Sequence, residues 1–337
     1  MSESTPGVAP PHEVGATPAS GPPPQSMPRY AGRQLWVRAR QLVLLLLVVS
    51  SVLFILLRAS GDPALAMAGD NATQEQVAEI ERFYGFDRPL PLQYVTFVSQ
   101  LVRADFGTSF SSNRVALDLV LERMPATIQL AITAIMLNIL LSLLIGGYLG
   151  YRPWRPDRRA TLIAVLISQG IPAFVIGLIL IQLFAVQLGW LPSIGREGFI
   201  SALLPAVTLA SFLLPRTIRL TAANVEDAMS QQYVRTARAG GAPSGVVLWR
   251  HAMPNALLGT LALVGVQFGF LMGGSLIVET IFAWPGLGLL LVQGVRTVDF
   301  PVIQASVFVI AALVYTINAA VDVLFPLIDP RLKARWS

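Results

Sequence analysis

Six long apolar segments recur along the chain, separated by stretches rich in Arg, Pro and Gly. About 20 apolar residues in a helix cross the hydrocarbon core of a bilayer, so each segment is a candidate transmembrane helix. Pro205 and Pro215 make the fourth segment the least regular, because proline disrupts a helix interior. The pattern predicts an all-α polytopic membrane protein with six transmembrane helices, over residues 41–57, 127–150, 160–187, 202–220, 256–281 and 302–327.

The composition indicates a chain whose preferred solvent is lipid, and it excludes several functions. Hydrophobic residues make up 54% of the chain and charged residues 13%, with a mean hydropathy of +0.63. There is no cysteine, and His12 and His251 lie outside the apolar segments, so we expect neither disulfides nor an intramembrane metal site. We therefore predict no catalytic, cofactor-binding or metal-binding residues, and no nucleic-acid partner.

The basic residues flank the apolar segments on alternate sides, which predicts the orientation in the membrane. Cytoplasmic loops carry an excess of Lys and Arg, and the short opposite loops here carry only Arg196 and Arg296. We therefore place both termini and the loop 221–255 in the cytoplasm, on the side of Arg29, Arg33, Arg38, Arg40, Arg152, Arg155, Arg158, Arg159, Arg216, Arg219, Arg235, Arg238, Arg250, Arg331, Lys333 and Arg335.

The composition of the termini and of the first long loop completes the predicted domain organisation. The Pro-rich N-terminal stretch has too few apolar residues to fold, and it lacks the apolar core of a secretory signal. The first apolar segment is therefore predicted to be an uncleaved anchor. We expect a disordered cytoplasmic tail over 1–33, a first transmembrane helix over 34–58, an extracytoplasmic insertion over 59–125, a core of five transmembrane helices over 126–329 and a cytoplasmic tail over 330–337.

The insertion 59–125 contains two short helical patterns. Thr73 and Gln76 have the spacing of a capping box, and the helix that they begin is predicted to end at Gly85. A second amphipathic stretch follows Pro91. The insertion is either a small cap over the helix bundle or a surface that contacts the solute, and its aromatic residues Phe83, Phe86, Phe97, Phe106 and Phe110 suit both alternatives.

The cytoplasmic loop YVRTARAGGAPSGVVLWRHAMP, residues 233–254, predicts a helix, a turn and a second short helix. The pair Gly240 and Gly241 supplies the left-handed residue that ends the first helix, and Pro243 suits the first turn of the next. The second helix is apolar but too short to span a bilayer. It either docks on a protein partner or lies on the membrane surface.

ATP hydrolysis by this chain is excluded by its lysine content. A phosphate-binding P-loop needs a lysine after its second glycine, and the only lysine is Lys333. An ion-coupled secondary transporter would place ionisable groups near mid-membrane. Glu279 lies near the outer end of the fifth span and Asp322 near the inner end of the sixth. Local pairing of each of these two carboxylates is favoured over ion carriage, and the secondary transporter stays as the alternative.

Motifs in a fixed order along the chain resemble the transmembrane permease subunits of binding-protein-dependent ABC importers, in the dipeptide, oligopeptide, glutathione and nickel group, and most closely the dipeptide permease B type. Single motifs such as GDP are weak, but the ordered set is specific. It comprises LLRASGDPALAMAG, YGFDRPLPLQY, DFGTSF, RMPATIQLA, ISQGIPAF, LGWLPS, YVRTARAGGAP, VETIFAWPGLG and DPRLK.

This resemblance implies that the loop couples the membrane helices to an ATPase. The family signature is Glu-Ala-Ala, three residues, Gly, nine residues, then Ile-x-Leu-Pro, and here Arg235 replaces the acid while His251 and Met253 replace the Ile and the Leu. The spacing is intact. By resemblance, residues 242–249 form the coupling helix, and the ATPase-coupling residues are Arg235, Thr236, Ala237, Gly241, Ala242, Pro243, Val246, Trp249, His251 and Pro254.

The resemblance also implies the type I importer fold and a set of partners in the bacterial inner membrane. These are a second, homologous permease, two cytoplasmic ATPases that bind ATP-Mg and an extracytoplasmic solute-binding protein. The implied solute is a di- or oligopeptide, with glutathione, nickel chelates and other solutes as alternatives. Polar side chains within the spans are candidates for the translocation pathway or for helix–helix hydrogen bonds: Asn138, Ser142, Ser168, Gln169, Gln182, Gln267 and Ser275.

Overall fold

The computed structural model describes residues 27–60, 63–68, 72–152 and 156–328, and helices dominate this part of the chain. The predicted N-terminal tail, apart from residues 27–33, and the C-terminal tail lie outside the described residues. The α-helices are α1 Met27–Ser60, α2 Pro63–Ala68, α3 Gln74–Tyr84, α4 Leu90–Val102, α5 Ala116–Tyr151, α6 Pro156–Gln169, α7 Ala173–Leu180, α8 Leu203–Ser230, α9 Gln232–Ala239, α10 Ser244–Val246, α11 Met253–Ile281, α12 Leu287–Arg296 and α13 Phe300–Ile328. Two π-helical turns, Ile181–Gln187 and Val247–Ala252, follow α7 and α10.

The predicted all-α polytopic fold is confirmed. Within the described residues, four helices are long and apolar enough to cross a membrane, and two bent helix pairs raise the number to six. The helices extend beyond the apolar segments that predicted them. α1 already begins at Met27, inside the stretch expected to be a disordered tail, and α5 begins eleven residues before the predicted span, at Ala116.

The third predicted span, residues 160–187, is not one straight helix. α6 and the helix from Ala173 to Gln187 meet at an angle of 102°. The break lies at the sequence Gly170-Ile171-Pro172, where proline lacks a backbone N–H and disfavours helical geometry in the residue before it. The apolar content of residues 160–187 predicted one continuous span, and the prediction is wrong because Pro172 breaks the helix.

The fourth predicted span is, by contrast, continuous despite its two prolines. α8 runs for 28 residues, with Pro205 in its first turn and Pro215 inside it. Both proline side chains are buried. Proline is tolerated in the first turn of a helix, and helices in membranes accommodate an interior proline because neighbouring helices stabilise the interrupted turn.

Glycines on α5 bring it close to α8. A Cβ at Gly146 would lie 2.8 Å from the carbonyl oxygen of Ile218, and one at Gly150 would lie 2.7 Å from Cβ of Val225. α11 and α13 meet in the same way at Gly269, where a Cβ would lie 2.7 Å from Nδ2 of Asn318. Small residues allow close backbone approach where lipid gives helices no hydrophobic reason to associate.

The insertion folds as the sequence predicts at its first helix. The Thr73 N–H donates to Oε1 of Gln76 at 2.9 Å, and the Gln76 N–H donates to Oγ1 of Thr73 at 3.3 Å, which completes the capping box. α3 ends at Gly85 in the left-handed conformation, with φ of 71°. α4 then packs on α1, where the rings of Phe54 and Phe97 lie 5.2 Å apart.

A buried carboxylate organises the end of the bundle that carries the insertion, which we call the insertion end. Glu279, near the end of α11, is fully buried. It accepts hydrogen bonds from Oγ1 of Thr127 at 2.8 Å and from the backbone N–H groups of Gly288 at 2.7 Å and Leu289 at 3.1 Å. Glu279 therefore caps α12 from another helix and ties it to α5.

A second buried carboxylate performs the same task nearby. Asp299 directly precedes α13 and accepts hydrogen bonds from Oγ of Ser109 at 2.6 Å, from Oγ of Ser111 at 2.8 Å and from the Ser111 N–H at 3.1 Å. The loop between α4 and α5 is thereby anchored to the start of α13. The rings of Phe110 and Phe300 also contact there edge-on, 6.4 Å apart.

The cage around Glu279 predicts that Gly286 cannot carry a side chain. A Cβ at Gly286 would lie 2.5 Å from Oε1 of Glu279, whereas one at Gly245, in α10, would meet nothing within 4 Å. We expect Gly286→Ala to destabilise the fold by about 1–3 kcal/mol through overpacking. Its thermal unfolding midpoint in detergent should fall, while Gly245→Ala keeps the wild-type midpoint. Equal midpoints for the two variants would contradict this prediction.

Candidate coupling surface

The loop that begins at Tyr233 starts with α9, and Gly241 ends it as predicted. Gly241 has φ of 80°, in the left-handed region that favours glycine. The Ala242 N–H donates to the carbonyl oxygen of Ala237 at 3.1 Å, and the Gly241 N–H donates to that of Arg238 at 3.0 Å. These bonds satisfy carbonyls at the helix end and turn the chain back towards the bundle.

The predicted second helix is not an isolated element. Pro243 is its N-cap rather than its first helical residue, and α10 begins at Ser244. The helical path then continues through the π-helical turn 247–252 into α11. The short helix expected over residues 242–249 is therefore the first part of the fifth spanning helix, and the helical path continues past Pro254 although that residue has no backbone N–H to donate.

One face of this loop is rooted in the bundle. Val234, Val247 and Ala252 are fully or almost fully buried. Leu248 and Met253 form an apolar cluster with three neighbouring helices. The cluster contains Val225 and Met229 of α8, Ala256 of α11, and Leu143 and Tyr151 of α5. The Asn255 side chain donates to the Tyr233 hydroxyl at 2.7 Å, which joins the start of α11 to α9.

The opposite face of the loop is exposed and combines apolar with basic side chains. Trp249 is 48% exposed and Val246 is 39% exposed. We call the face formed by Tyr233, Arg235, Arg238, Val246, Trp249 and Arg250 the coupling surface; all of these residues are exposed. The sequence contains no acidic residue between Asp227 and Glu279, so the surface carries a positive charge.

The structure also places the other predicted coupling residues in and around this loop. Thr236 is exposed on α9, while Ala237 and Ala242 are half-buried beside the turn. His251 is half-buried in the π-helical turn, and Pro254 is exposed at the second residue of α11. The loop signature therefore spans the whole hairpin from α9 to α11.

Two of the predicted pathway residues meet in the middle of the bundle. Asn138 of α5 donates through Nδ2 to Oε1 of Gln267 on α11 at 3.3 Å and to Oγ1 of Thr217 on α8 at 3.2 Å. All three side chains are buried, and Oδ1 of Asn138 has no hydrogen-bond partner among the residues that the structure describes. Three helices are thus joined by one polar cluster, which we call the mid-bundle cluster.

The remaining pathway candidates do not join this cluster. Ser168 donates to the carbonyl oxygen of Val165 on its own helix, and Gln169 is exposed at the break after α6. Gln182 is exposed in the π-helical turn after α7. Ser142 donates to the carbonyl oxygen of Ile139 within α5. Ser275 is buried and hydrogen-bonds to Glu279.

Comparison with known proteins assigns the chain to a family. A model of the binding-protein-dependent transport system inner membrane component matches residues 142–334, and a model of the N-terminal region of such membrane components matches residues 32–131. The chain is a permease subunit of a binding-protein-dependent ABC importer, in the dipeptide, oligopeptide and nickel group. It is accordingly a multi-pass inner-membrane protein, and this type of permease implies a solute-binding protein and ATPase partners.

Curated relatives of this permease cover most of it. The glutathione transport system permease protein GsiC of Salmonella typhimurium (strain LT2) is 37% identical over 292 residues, which is 86% of this chain and 94% of the relative. The protein of the same name from Escherichia coli (strain K12) is 38% identical over the same length. A crystal structure of an amino acid ABC transporter with histidines is 19% identical, with a TM-score of 0.46, and covers 64% of this chain and 94% of that one.

Sequence reasoning missed several residues that position functional parts of this permease. Thr127 accepts from the Leu287 N–H at 2.8 Å while donating to Glu279, and Trp284 donates through Nε1 to the carbonyl oxygen of Ala126 at 2.9 Å. The motifs RMPATIQLA and VETIFAWPGLG contain these residues and are therefore partners in space. A polar residue inside an apolar motif was the only signal, and it did not identify the partner.

The mid-bundle cluster predicts unequal roles for two glutamines of this permease. Oε1 of Gln267 also accepts from Oγ1 of Thr217 at 3.2 Å, so Gln267→Leu removes an acceptor that Asn138 and Thr217 share. We expect a loss of about 1 kcal/mol in unfolding free energy, typical of interhelical hydrogen bonds in membranes. Gln182→Leu changes an exposed side chain and should have no such effect. Thermal unfolding in detergent compares the two variants, and an equal or smaller loss for Gln267→Leu would contradict the assignment.

Proposed function

We propose that this permease imports di- or oligopeptides into the bacterial cytoplasm, driven by ATP hydrolysis in separate subunits that dock on the coupling surface. The observation that supports docking of separate ATPase subunits most directly is the exposed pair Val246 and Trp249, which lies above buried side chains of the same loop. A rigid apolar projection of this kind suits insertion into a groove of a partner protein.

The charge of the coupling surface suggests what the groove contains. Arg235, Arg238 and Arg250 are exposed in the same loop as the apolar pair, and the sequence has no acidic residue from 228 to 278. Complementary charges across an interface set orientation and specificity. We infer that the ATPase presents acidic side chains around an apolar cleft. Arg235 would then bind an acidic side chain, whereas the Glu that begins the family signature carries the opposite charge.

The root of the loop supplies a route by which docking reaches the membrane helices. Leu248 and Met253 pack against the ends of α5 and α8, and the helical run that starts at Ser244 continues to Ile281. Movement of the coupling surface is therefore transmitted to three helices at once. In our proposal, ATP binding draws two such surfaces together and opens the bundle outwards, which makes this a two-state change of packed helices.

The proposed assembly contains two permeases, two ATPases and a solute-binding protein. We assign the loop end of the bundle to the cytoplasm, together with both termini, from the distribution of arginines. The insertion 59–125 then faces the binding protein, and residues 126–329 form the core that pairs with a second, homologous permease. ATP-Mg is bound by the ATPases, and this chain contributes no cofactor site.

The solute pathway is proposed to follow the polar side chains of the spans. Ser168, Gln169 and Gln182 lie on the broken third span, whereas Asn138 and Gln267 are paired inside the bundle and Ser275 lies beside Glu279. We infer that separation of α5, α8 and α11 in the other transport state exposes Asn138 and Gln267 to the solute. Oδ1 of Asn138, which has no donor among the described residues, then gains one from the solute.

The relatives support a peptide-like solute, because glutathione is itself a tripeptide with a modified linkage. The two curated relatives are named as glutathione permeases. Nickel chelates and other solutes are alternatives within the same architecture. An ion-coupled secondary transporter is the alternative of a different class, and it is disfavoured because Glu279 is held by fixed donors and Asp322 pairs with Arg38 at 2.7 Å.

Uptake into proteoliposomes tests the proposed function directly. Vesicles that contain this permease with its co-purified subunits, and the binding protein outside, should accumulate a radiolabelled tripeptide only when ATP is supplied on the ATPase side. A proton or sodium gradient without ATP should give no accumulation. Accumulation with a gradient alone, or by this chain without an ATPase, would overturn the proposal.

Docking should depend on the exposed side chains of the coupling surface. We expect Trp249→Ala to weaken ATPase binding by about 2 kcal/mol, roughly 30-fold, as for tryptophans at interface hot spots. Val246→Asp should weaken it through an unpaired buried charge. Trp190→Ala is the matched control, because Trp190 is 68% exposed but lies far from the loop in sequence, after the third span. Affinity is measured by titrating the ATPase onto detergent-purified permease, and unchanged affinity for Trp249→Ala would contradict this docking mode.

A further inference from the structure

A cavity of about 200 Å³ lies within the insertion end of the permease. Its walls come from the end of α1, the turn between α3 and α4, α4 itself, the loop before α5 and the start of α13. This volume is below the roughly 300–1,000 Å³ of pockets for drug-sized ligands. The cavity therefore suits one residue of a larger ligand, rather than the whole ligand.

The charged side chains among the described residues that line the cavity are cationic. Arg58 and Arg88 both line it, and none of the described residues that line it is acidic. The guanidinium of Arg58 lies over the ring of Phe86, 4.6 Å from its centre. Arg88 extends across Gly85, where a Cβ would lie 3.1 Å from Nε of Arg88. Arginine recognises carboxylates through paired hydrogen bonds, so the cavity favours a carboxylate.

Gln93, which lines the same cavity, has a side-chain acceptor with no donor among the described residues. Gln93 donates through Nε2 to the carbonyl oxygens of Phe86 at 2.9 Å and Arg88 at 2.7 Å. These two acceptors determine which end of the amide is the nitrogen. Oε1 of Gln93 is buried and accepts no hydrogen bond from the described residues. A buried acceptor of this kind is costly unless a donor reaches it.

Aromatic rings complete the cavity and provide contact for an apolar group. Phe54, Phe97 and Phe106 line it and are buried. Phe110 and Phe300 lie on the side of the loop anchored by Asp299. Cations, an unpaired acceptor and aromatic walls therefore meet in one small space, at the junction of five segments.

We propose that this cavity binds the carboxy-terminal residue of a peptide solute before it enters the membrane bundle. The terminal carboxylate pairs with Arg88, with Arg58 beside it, a backbone N–H of the peptide donates to Oε1 of Gln93, and the terminal side chain packs on the aromatic rings. This inference rests on the proposed peptide import and adds a solute site in the insertion, separate from the mid-bundle cluster.

Equilibrium binding of trialanine and of its carboxamide, trialaninamide, tests this site. The importer is purified with its subunits in lipid nanodiscs, without ATP and without the binding protein. We expect wild-type importer to bind trialanine about tenfold or more tightly than trialaninamide, because the amide lacks the charge that Arg88 recognises. Arg88→Gln should bind the two peptides equally. Arg103→Gln, which changes an exposed arginine of the same insertion that does not line the cavity, should keep the preference.

Three outcomes would overturn this proposal. The first is no binding of trialanine to the wild type, and the second is a preference for the free carboxylate that Arg88→Gln retains. The third is a loss of the preference in Arg103→Gln as well as in Arg88→Gln, which would assign the effect to the net charge of the insertion rather than to the cavity. ATP-driven uptake that is intact in these cases would leave the proposed importer function standing, whereas absence of uptake in the wild type would remove that function instead.

Discussion

The arrangement of the insertion end depends on one buried carboxylate, that of Glu279. Burying a charge is costly unless donors surround it, and here the donors come from α5 and from the start of α12. Glycine is required at 286 and 288 because a Cβ at either position would clash with this carboxylate or with the backbone of Leu276. The motif VETIFAWPGLG is thus a physical unit: the acid, the turn and the glycines each depend on the others.

The coupling surface follows a different principle, in which rigidity comes from its root and recognition from its exposed side. Leu248 and Met253 pack into the bundle, whereas Val246 and Trp249 remain exposed. A projection that is ordered before docking loses little entropy on binding, which favours affinity per unit of contact. The positive-φ Gly241 sets its direction, because that conformation strains other residue types.

The sequence predicted the helical class, the spans, the capping box and the turn at Gly241, because each depends on a local pattern. It failed where distant contacts decide. Hydropathy did not indicate the bend of 102° in the third span or the helix α12, which is short and is capped by Glu279 from α11. Pro215 predicted an irregular fourth span, yet α8 is continuous, because neighbouring helices surround the buried proline. Among the polar residues, spacing could identify Asn138 and Gln267 but not their pairing.

The helical run from Ser244 to Ile281 begins at the coupling surface and carries Glu279 near its other end, with a bend of 40° between its parts. Displacement of this run along its own axis by one turn, about 5.4 Å, would withdraw the carboxylate from its donors on α5 and α12. Tilting about the Glu279 end keeps those bonds intact. We therefore expect the run to tilt about its insertion end, with the largest displacement at the loop end, rather than to translate along its own axis.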